Sequence, residues 1–261
     1  GQSVPAREGG VQADGRPHEA HAVGSQQAHA VAVRDREQLP LERGAPGAGF
    51  LESRGDVDLV YSDMRYFKDG DESQLFRSFA CLTGDQAWMP YMSGQGKQIA
   101  ERMLYGNIMV VSSPLFRKTL PEETGMFDET LEANEDWDFW LRIILAGKRI
   151  HFLDGAGTRT LIRVHGTSLS RDVFRMQVCG LRVLLKNKDL IQKFELGDLL
   201  QERIDSHVAG IQNSLAESQV AVFHSRTEQL RGFELLALVF RERQCGLLNW
   251  WRLRLKMRTV R

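Results

Sequence analysis

Apolar positions first gather into ordered runs near Asp56, where Val57-Asp58-Leu59-Val60-Tyr61 predicts a short strand rich in β-formers, closing at Ser62-Asp63. A loop-rich stretch follows, punctuated by the turn signal Asp69-Gly70-Asp71 and by Gly84, Pro90, Gly94 and Gly96. It ends at Asn107 to Ser112, whose apolar centre Ile108-Met109-Val110-Val111 predicts a buried strand. Pro114 suits the first turn of a helix, and Gly125 marks a turn. The clearest period lies between Glu135 and Ala146, where Trp137, Trp140, Leu141, Ile144 and Leu145 recur at helical spacing. Asn134 stands at the N-cap position and Gly147 just past the end. Arg149 to Leu153 and Thr158 to Val164 then predict two strands around Gly155-Ala156-Gly157.

From Arg171 onward the pattern is helical without strands. Phe174, Val178, Leu181 and Leu185 form one apolar stripe; Leu200, Ile204, Val208, Ile211 and Leu215 form another at near-heptad spacing. The stripes suit a core-facing pair of helices, and also a helical appendage or a homo-oligomer contact. At the C-terminus Trp251, Leu253, Leu255 and Met257 alternate with Arg252, Arg254, Lys256 and Arg258, while Leu247, Trp250, Leu253, Met257 and Val260 share one helical face, so the period does not choose between strand and helix.

The first 50 residues differ from the rest. They hold no Lys, Ile, Met, Asn, Thr, Tyr, Trp or Cys, and such a stretch buries too little apolar surface to offset its conformational entropy. Residues 1–55 are therefore expected to carry no fold. Several of the missing types have AT-rich codons, so the segment reads either as a natural tail or as a GC-rich region translated out of frame.

Composition changes this picture little. Lys plus Arg and Asp plus Glu each number 34, so no global field argues for nucleic acid. Cys81, Cys179 and Cys245 are widely spaced, which excludes a cysteine-built zinc site and fits a reducing compartment. No run approaches the length of a membrane span and no signal-peptide pattern opens the chain, so the expected location is the cytoplasm. The basic and aromatic cluster over residues 247–261 adds an expected peripheral contact with the inner face of a membrane.

Five blocks carry chemistry in order: Asp58-Leu59-Val60-Tyr61-Ser62-Asp63; Gly106-Asn107-Ile108 through Ser112-Ser113 with Phe116-Arg117; Gly125-Met126-Phe127-Asp128-Glu129; Glu135-Asp136-Trp137-Asp138-Phe139-Trp140-Leu141-Arg142; and Arg163-Val164-His165-Gly166-Thr167-Ser168-Leu169-Ser170. In this order and at these distances they resemble the acceptor-side half of family 2 glycosyltransferases, inverting enzymes of the GT-A, nucleotide-diphospho-sugar transferase fold. The resemblance covers residues 56–170, under half the chain. It implies an α/β class: a partial GT-A fold over 56–170, then a helical region over 171–261.

It also implies a function: transfer of a sugar, with inversion, from a nucleotide-sugar donor to a carbohydrate or lipid-linked acceptor. Inversion needs a base to take the acceptor hydroxyl proton while cations stabilise the departing diphosphate. The resemblance assigns the base to Asp136, with Glu135 orienting it or touching the acceptor. It puts Asp128 on the acceptor side, Phe127 packing inward and Asp128 bonding to loop backbone, and it puts Arg163 and His165 near the diphosphate. Trp137 and Trp140 are candidates for stacking on a sugar, although helical spacing sends at least one of them into the core. Taken alone, acidic residues in a first helical turn ordinarily only stabilise the helix. A divalent metal, Mg²⁺ or Mn²⁺, is expected from the family, but its Asp-x-Asp motif, roughly 25–30 residues before Asp58, is not found. Asp35-Arg36-Glu37 is the nearest acidic pair, and the metal ligands stay unassigned. No nucleotide-binding strand-turn-helix reads before Asp58 either, so the chain is expected to bind donor weakly. The rival expectation is a non-catalytic remnant whose helices self-associate or touch a membrane surface.

Overall fold

A computed structural model gives the structure, describing residues 46–68, 71–77, 90–155, 158–164 and 172–218 and the single positions 226, 230, 238, 239 and 255. The strand expected from Val57 is present as β1 (Leu59–Ser62), and after Asp63 the chain continues directly into β2 (Met64–Lys68). β3 (Asp71–Phe76) pairs antiparallel with β2. Helix α2 (Lys97–Leu104) precedes a two-residue strand β4 (Leu115–Phe116) and helix α3 (Leu120–Thr124). The Trp-rich segment forms α4 (Glu135–Leu145), followed by β5 (Ile150–Leu153) and β6 (Thr160–Val164). Two small mixed sheets result, ordered β4-β1-β5 and β3-β2-β6. β1 runs parallel to β5 and β2 parallel to β6, so one kinked strand, 59–68, faces two successive strands across the break at Asp63. The class is α/β, as expected.

Alternation along β1 sorts its residues between two faces. Leu59 and Tyr61 join Phe116, Ile150 and Phe152 in the main core. Val60, with Leu115 and Leu153, faces the other way against α1 (Pro46–Ser53), where Leu51 and Phe50 cover it. Helix α1 corrects the expectation that residues 1–55 carry no fold: its Leu51 finds a sheet face that a composition count does not reveal. Arg117 holds it there, donating to the carbonyls of Leu51 (2.9 Å), Arg54 (2.8 Å) and Val57 (2.9 Å), a cation on the carbonyl end of a helix.

Two further expectations fail. Residues 107–112 form no strand: Ile108 and Met109 are buried, but no neighbouring strand pairs with the segment. Side chains satisfy its ends instead. Met109 N–H donates to Asn107 Oδ1 (3.0 Å), and Ser113 Oγ both donates to the Ser62 carbonyl (2.7 Å) and accepts from Ser62 N–H (2.9 Å). An apolar run without alternation does not encode its pairing partner. Pro114 likewise opens no helix; it precedes β4, and α3 begins at Leu120 with Pro121 in its first turn.

Helices α5 (Val173–Lys186), α6 (Lys188–Lys193) and α7 (Gly197–Glu217) close the described fold. Phe174, Val178 and Leu181 of one stripe and all five residues of the other are buried in the same core as Leu59 and Trp140, and Leu185 packs against it. The core-facing alternative therefore holds, and residues 56–170 share one core with the helical region that follows. α5 and α7 approach closely at Gly180, where a Cβ would come within 2.5 Å of the His207 ring. The basic cluster over 247–261 lies outside the described residues, Leu255 excepted. Among the described residues no helix is long and apolar enough to cross a membrane.

Candidate active site

The start of α4 organises the candidate site. Asn134 occupies the N-cap position in a left-handed conformation (φ 60°) and makes no side-chain cap; its amide donates instead to the Met176 carbonyl (2.9 Å). The first helical turn carries Glu135, Asp136 and Asp138. Asp136 Oδ1 accepts from Trp137 N–H (2.7 Å) and Oδ2 from Asn107 Nδ2 (2.9 Å). Because Asn107 Oδ1 is occupied by Met109 N–H, the orientation of that amide is fixed.

Burial, and after it the neighbouring Glu135 charge, push the Asp136 carboxyl from 3.8 up to about 7, against the two hydrogen bonds that favour its ionised form. A carboxyl titrating near neutrality, held at both oxygens on a rigid helix, can take up a proton and release it.

A second network lies two residues along the helix, on a different side of it. Asp138 is 0% exposed in its side chain and accepts from Arg142 Nε (3.0 Å), Lys186 Nζ (2.9 Å) and Asn187 Nδ2 (2.9 Å). Arg142 also donates to the carbonyls of Thr124, Gly125 (3.2 Å) and Met126 (2.6 Å), at a turn where Gly125 has φ 81°. Lys186 reaches back to Asp128 (2.6 Å), whose other oxygen accepts from Thr130 N–H (3.0 Å) and Oγ1 (2.7 Å). Burial alone would raise the Asp128 carboxyl; the bonds from Lys186 and Thr130 and the ammonium charge outweigh it and bring it to about 2. Asp128 thus bonds to loop backbone, and Phe127 packs on Phe139 (4.5 Å). The charges of this network bolt the 124–130 turn to α4 and α5, and Asp128 is a strut of that turn.

The remaining candidates separate. Trp137 (4% exposed) and Trp140 (0%) are both core side chains, so neither indole offers a face for stacking on a sugar. Trp137 donates to the Met103 carbonyl (2.9 Å), and Trp140 Nε1 is buried without a hydrogen-bond partner among the described residues. The apolar face of an 11-residue helix in this core takes both rings. Arg163 is exposed on β6, in the other sheet, beside Phe67 in register. His165 lies outside the described residues, as do Asp35 and Glu37.

Asn107, Lys186 and Asn187 received no role from the sequence. Asn107 stood inside a block singled out for its apolar run; Lys186 and Asn187 lie beyond the last block, and their approach to Asp138 is purely tertiary.

Chain direction fixes the site's place on the sheet. α4 feeds β5 through residues 146–149, and such a short connection reverses the chain. Asp136 therefore sits at the end of the sheet where β1 and β5 finish. The loop of residues 107–113 confirms it, contacting Asp136 through Asn107 and Ser62, the last residue of β1, through Ser113. The carboxyl ends of parallel strands are where open α/β sheets ordinarily bind ligands. Among the described residues no group of three or more His, Cys, Asp or Glu is placed to hold a metal. Comparison with protein-family models and with curated proteins finds no match to this chain.

Proposed function

We propose that the chain belongs to an inverting, nucleotide-sugar-dependent glycosyltransferase of the GT-A type, with Asp136 as the general base. The observation that carries this is the Asp136 carboxyl, raised to about 7 at the first turn of α4 and held by Asn107. In its ionised form Asp136 takes the proton from an acceptor hydroxyl as that oxygen attacks the anomeric carbon and the nucleoside diphosphate leaves. Glu135 keeps a second negative charge beside it, which raises its basicity. Arg142 and Lys186 hold the neighbouring turn and take no part in proton transfer. The family's Mg²⁺ or Mn²⁺ would stabilise the leaving diphosphate; its ligands are unassigned, and no step is assigned to a metal. Arg163 is the described cation proposed to contact the diphosphate, and the acceptor is a carbohydrate or lipid-linked saccharide.

Release of nucleoside diphosphate from millimolar uridine- and guanosine-diphosphate sugars, with Mg²⁺ or Mn²⁺ and a panel of saccharide acceptors, tests this. The rate is expected to rise with pH along a single limb near 7 and then level off. Asp136→Asn is expected to lower it on the order of 10²- to 10⁴-fold with donor affinity nearly unchanged. Release no faster than a protein-free blank for every donor, or near-normal turnover in the variant, would refute the assignment.

A further inference from the structure

Residues 90–94 carry no regular secondary structure beyond a single bridge at Gly94, yet they are pinned along their whole length. The buried hydroxyl of Tyr61 donates toward the Pro90 (2.7 Å) and Met92 (3.1 Å) carbonyls and accepts from Met92 N–H (3.2 Å). Ser93 Oγ accepts from Phe152 N–H (3.0 Å), and Gly94 exchanges two 2.8 Å bonds with Ile150. Between these anchors the Tyr91 side chain points outward. It is 62% exposed, and its ring meets Phe152 edge to face at 4.6 Å. The Tyr61 hydroxyl, whose own titration burial pushes up to about 12, is buried yet satisfied by strap backbone alone, so it fixes the strap against the strand edge. The device makes sense if the strap must present a ring at a fixed place. Phe152 is the penultimate residue of β5, so that place is the end of the sheet where Asp136 lies.

We propose that Tyr91 is a stacking platform for a pyranose ring of the saccharide acceptor, held by the Tyr61-pinned strap on the same side of the sheet as Asp136. This rests on the transferase reading for the identity of its ligand and goes beyond it in assigning the acceptor subsite. An aromatic face meets the axial C–H groups of a pyranose, and a rigid ring does so with little entropy to lose.

Saturation-transfer NMR with cellotriose, maltotriose, chitotriose and mannotriose, on the whole chain, tests it. At least one trisaccharide is expected to bind. Tyr91→Ala and Tyr91→Leu are expected to weaken that binding about tenfold, while Tyr91→Phe and Tyr91→Trp stay within about threefold. Tyr91→Leu keeps an apolar contact for Phe152, so an unchanged thermal midpoint separates loss of stacking from loss of fold. Equal binding by wild type and Tyr91→Leu, or no binding by any trisaccharide, overturns the platform. The sugar-transfer assay on wild type and Tyr91→Leu discriminates the two proposals: binding that needs Tyr91 without any transfer leaves a saccharide site and removes the transferase, whereas transfer indifferent to Tyr91 does the reverse.

Discussion

Replacing Asp136 by Asn should stabilise the fold more as pH rises, and the magnitude follows from its surroundings. A carboxyl raised from 3.8 in the unfolded chain to about 7 in the folded one binds its proton more tightly when folded. Its contribution to stability is therefore fully present below pH 3.8 and is lost as pH rises through about 7. The whole rise corresponds to about 4 kcal/mol, but Asp136 retains part of its surface in water, and part of the loss has already occurred by pH 5, so about 1–3 kcal/mol is expected between pH 5 and pH 8.5. Urea unfolding of wild type and Asp136→Asn at both pH values measures it. Other titrating groups, among them Asp128 and His207, are common to both proteins and cancel in the double difference. The Asn side chain also places an amide against Asn107 Nδ2, but that cost does not vary with pH. A wild-type-to-variant difference that is flat with pH, or that favours wild type increasingly at high pH, would show that the carboxylate is comfortable where it sits and would remove the physical basis for calling it a base.

Arg142→Ala should destabilise by about 3 kcal/mol, because it removes one of the two cations on a fully buried Asp138 and the three bonds to the 124–126 turn; chemical denaturation reads this, and a loss under about 1 kcal/mol would mean that Lys186 and Asn187 suffice. Gly125→Ala should cost about 1–2 kcal/mol, since φ is 81° and the new Cβ would stand 3.1 Å from Arg142; an unchanged unfolding midpoint refutes the strained turn. Trp137→Phe should cost about 1 kcal/mol more than Trp140→Phe, because Trp137 loses its bond to Met103 whereas Trp140 sheds an unpartnered donor; the reverse order in thermal denaturation contradicts this.

The parts of the fold that were legible are those whose signals are local. The α4 stripe and the two helical stripes of the C-terminal region repeat at the helical period, and the strands before Ser62 and after Arg149 are short runs bounded by turn residues. What failed depended on partners far away in sequence. The apolar run at 108–111 is buried without pairing, α1 acquires meaning only when Val60 and Leu115 offer it a face, and α2, β2 and β3 lie in a stretch whose glycines and turn signals read as loop. Among candidate site residues, the Asp136 carboxyl is raised by burial and then by the Glu135 charge, and of these burial is reported by no spacing rule. The two indoles at helical spacing were readable as core or as ligand, and the packing sends both to the core.

The neighbouring carboxylates of α4 show how one short segment divides its labour. Asp136 and Asp138 are two residues apart, so they leave the helix in different directions, and their partners differ in kind. Asp138 meets an arginine, a lysine and an asparagine, and all of that charge is consumed in bracing the 124–130 turn. Asp136 meets a backbone N–H, a neutral amide and the negative charge of Glu135, with no cation among its partners in the described residues, so its carboxyl titrates near neutral pH. A segment selected only for helix stability has no need to leave one partly buried carboxylate without a counter-charge beside a fully buried one that has two. The asymmetry supports the proposed division into a base at Asp136 and a brace at Asp138, and it makes a sharp demand: Asp138→Asn should cost stability and leave the pH limb of turnover where it was, whereas Asp136→Asn should abolish that limb.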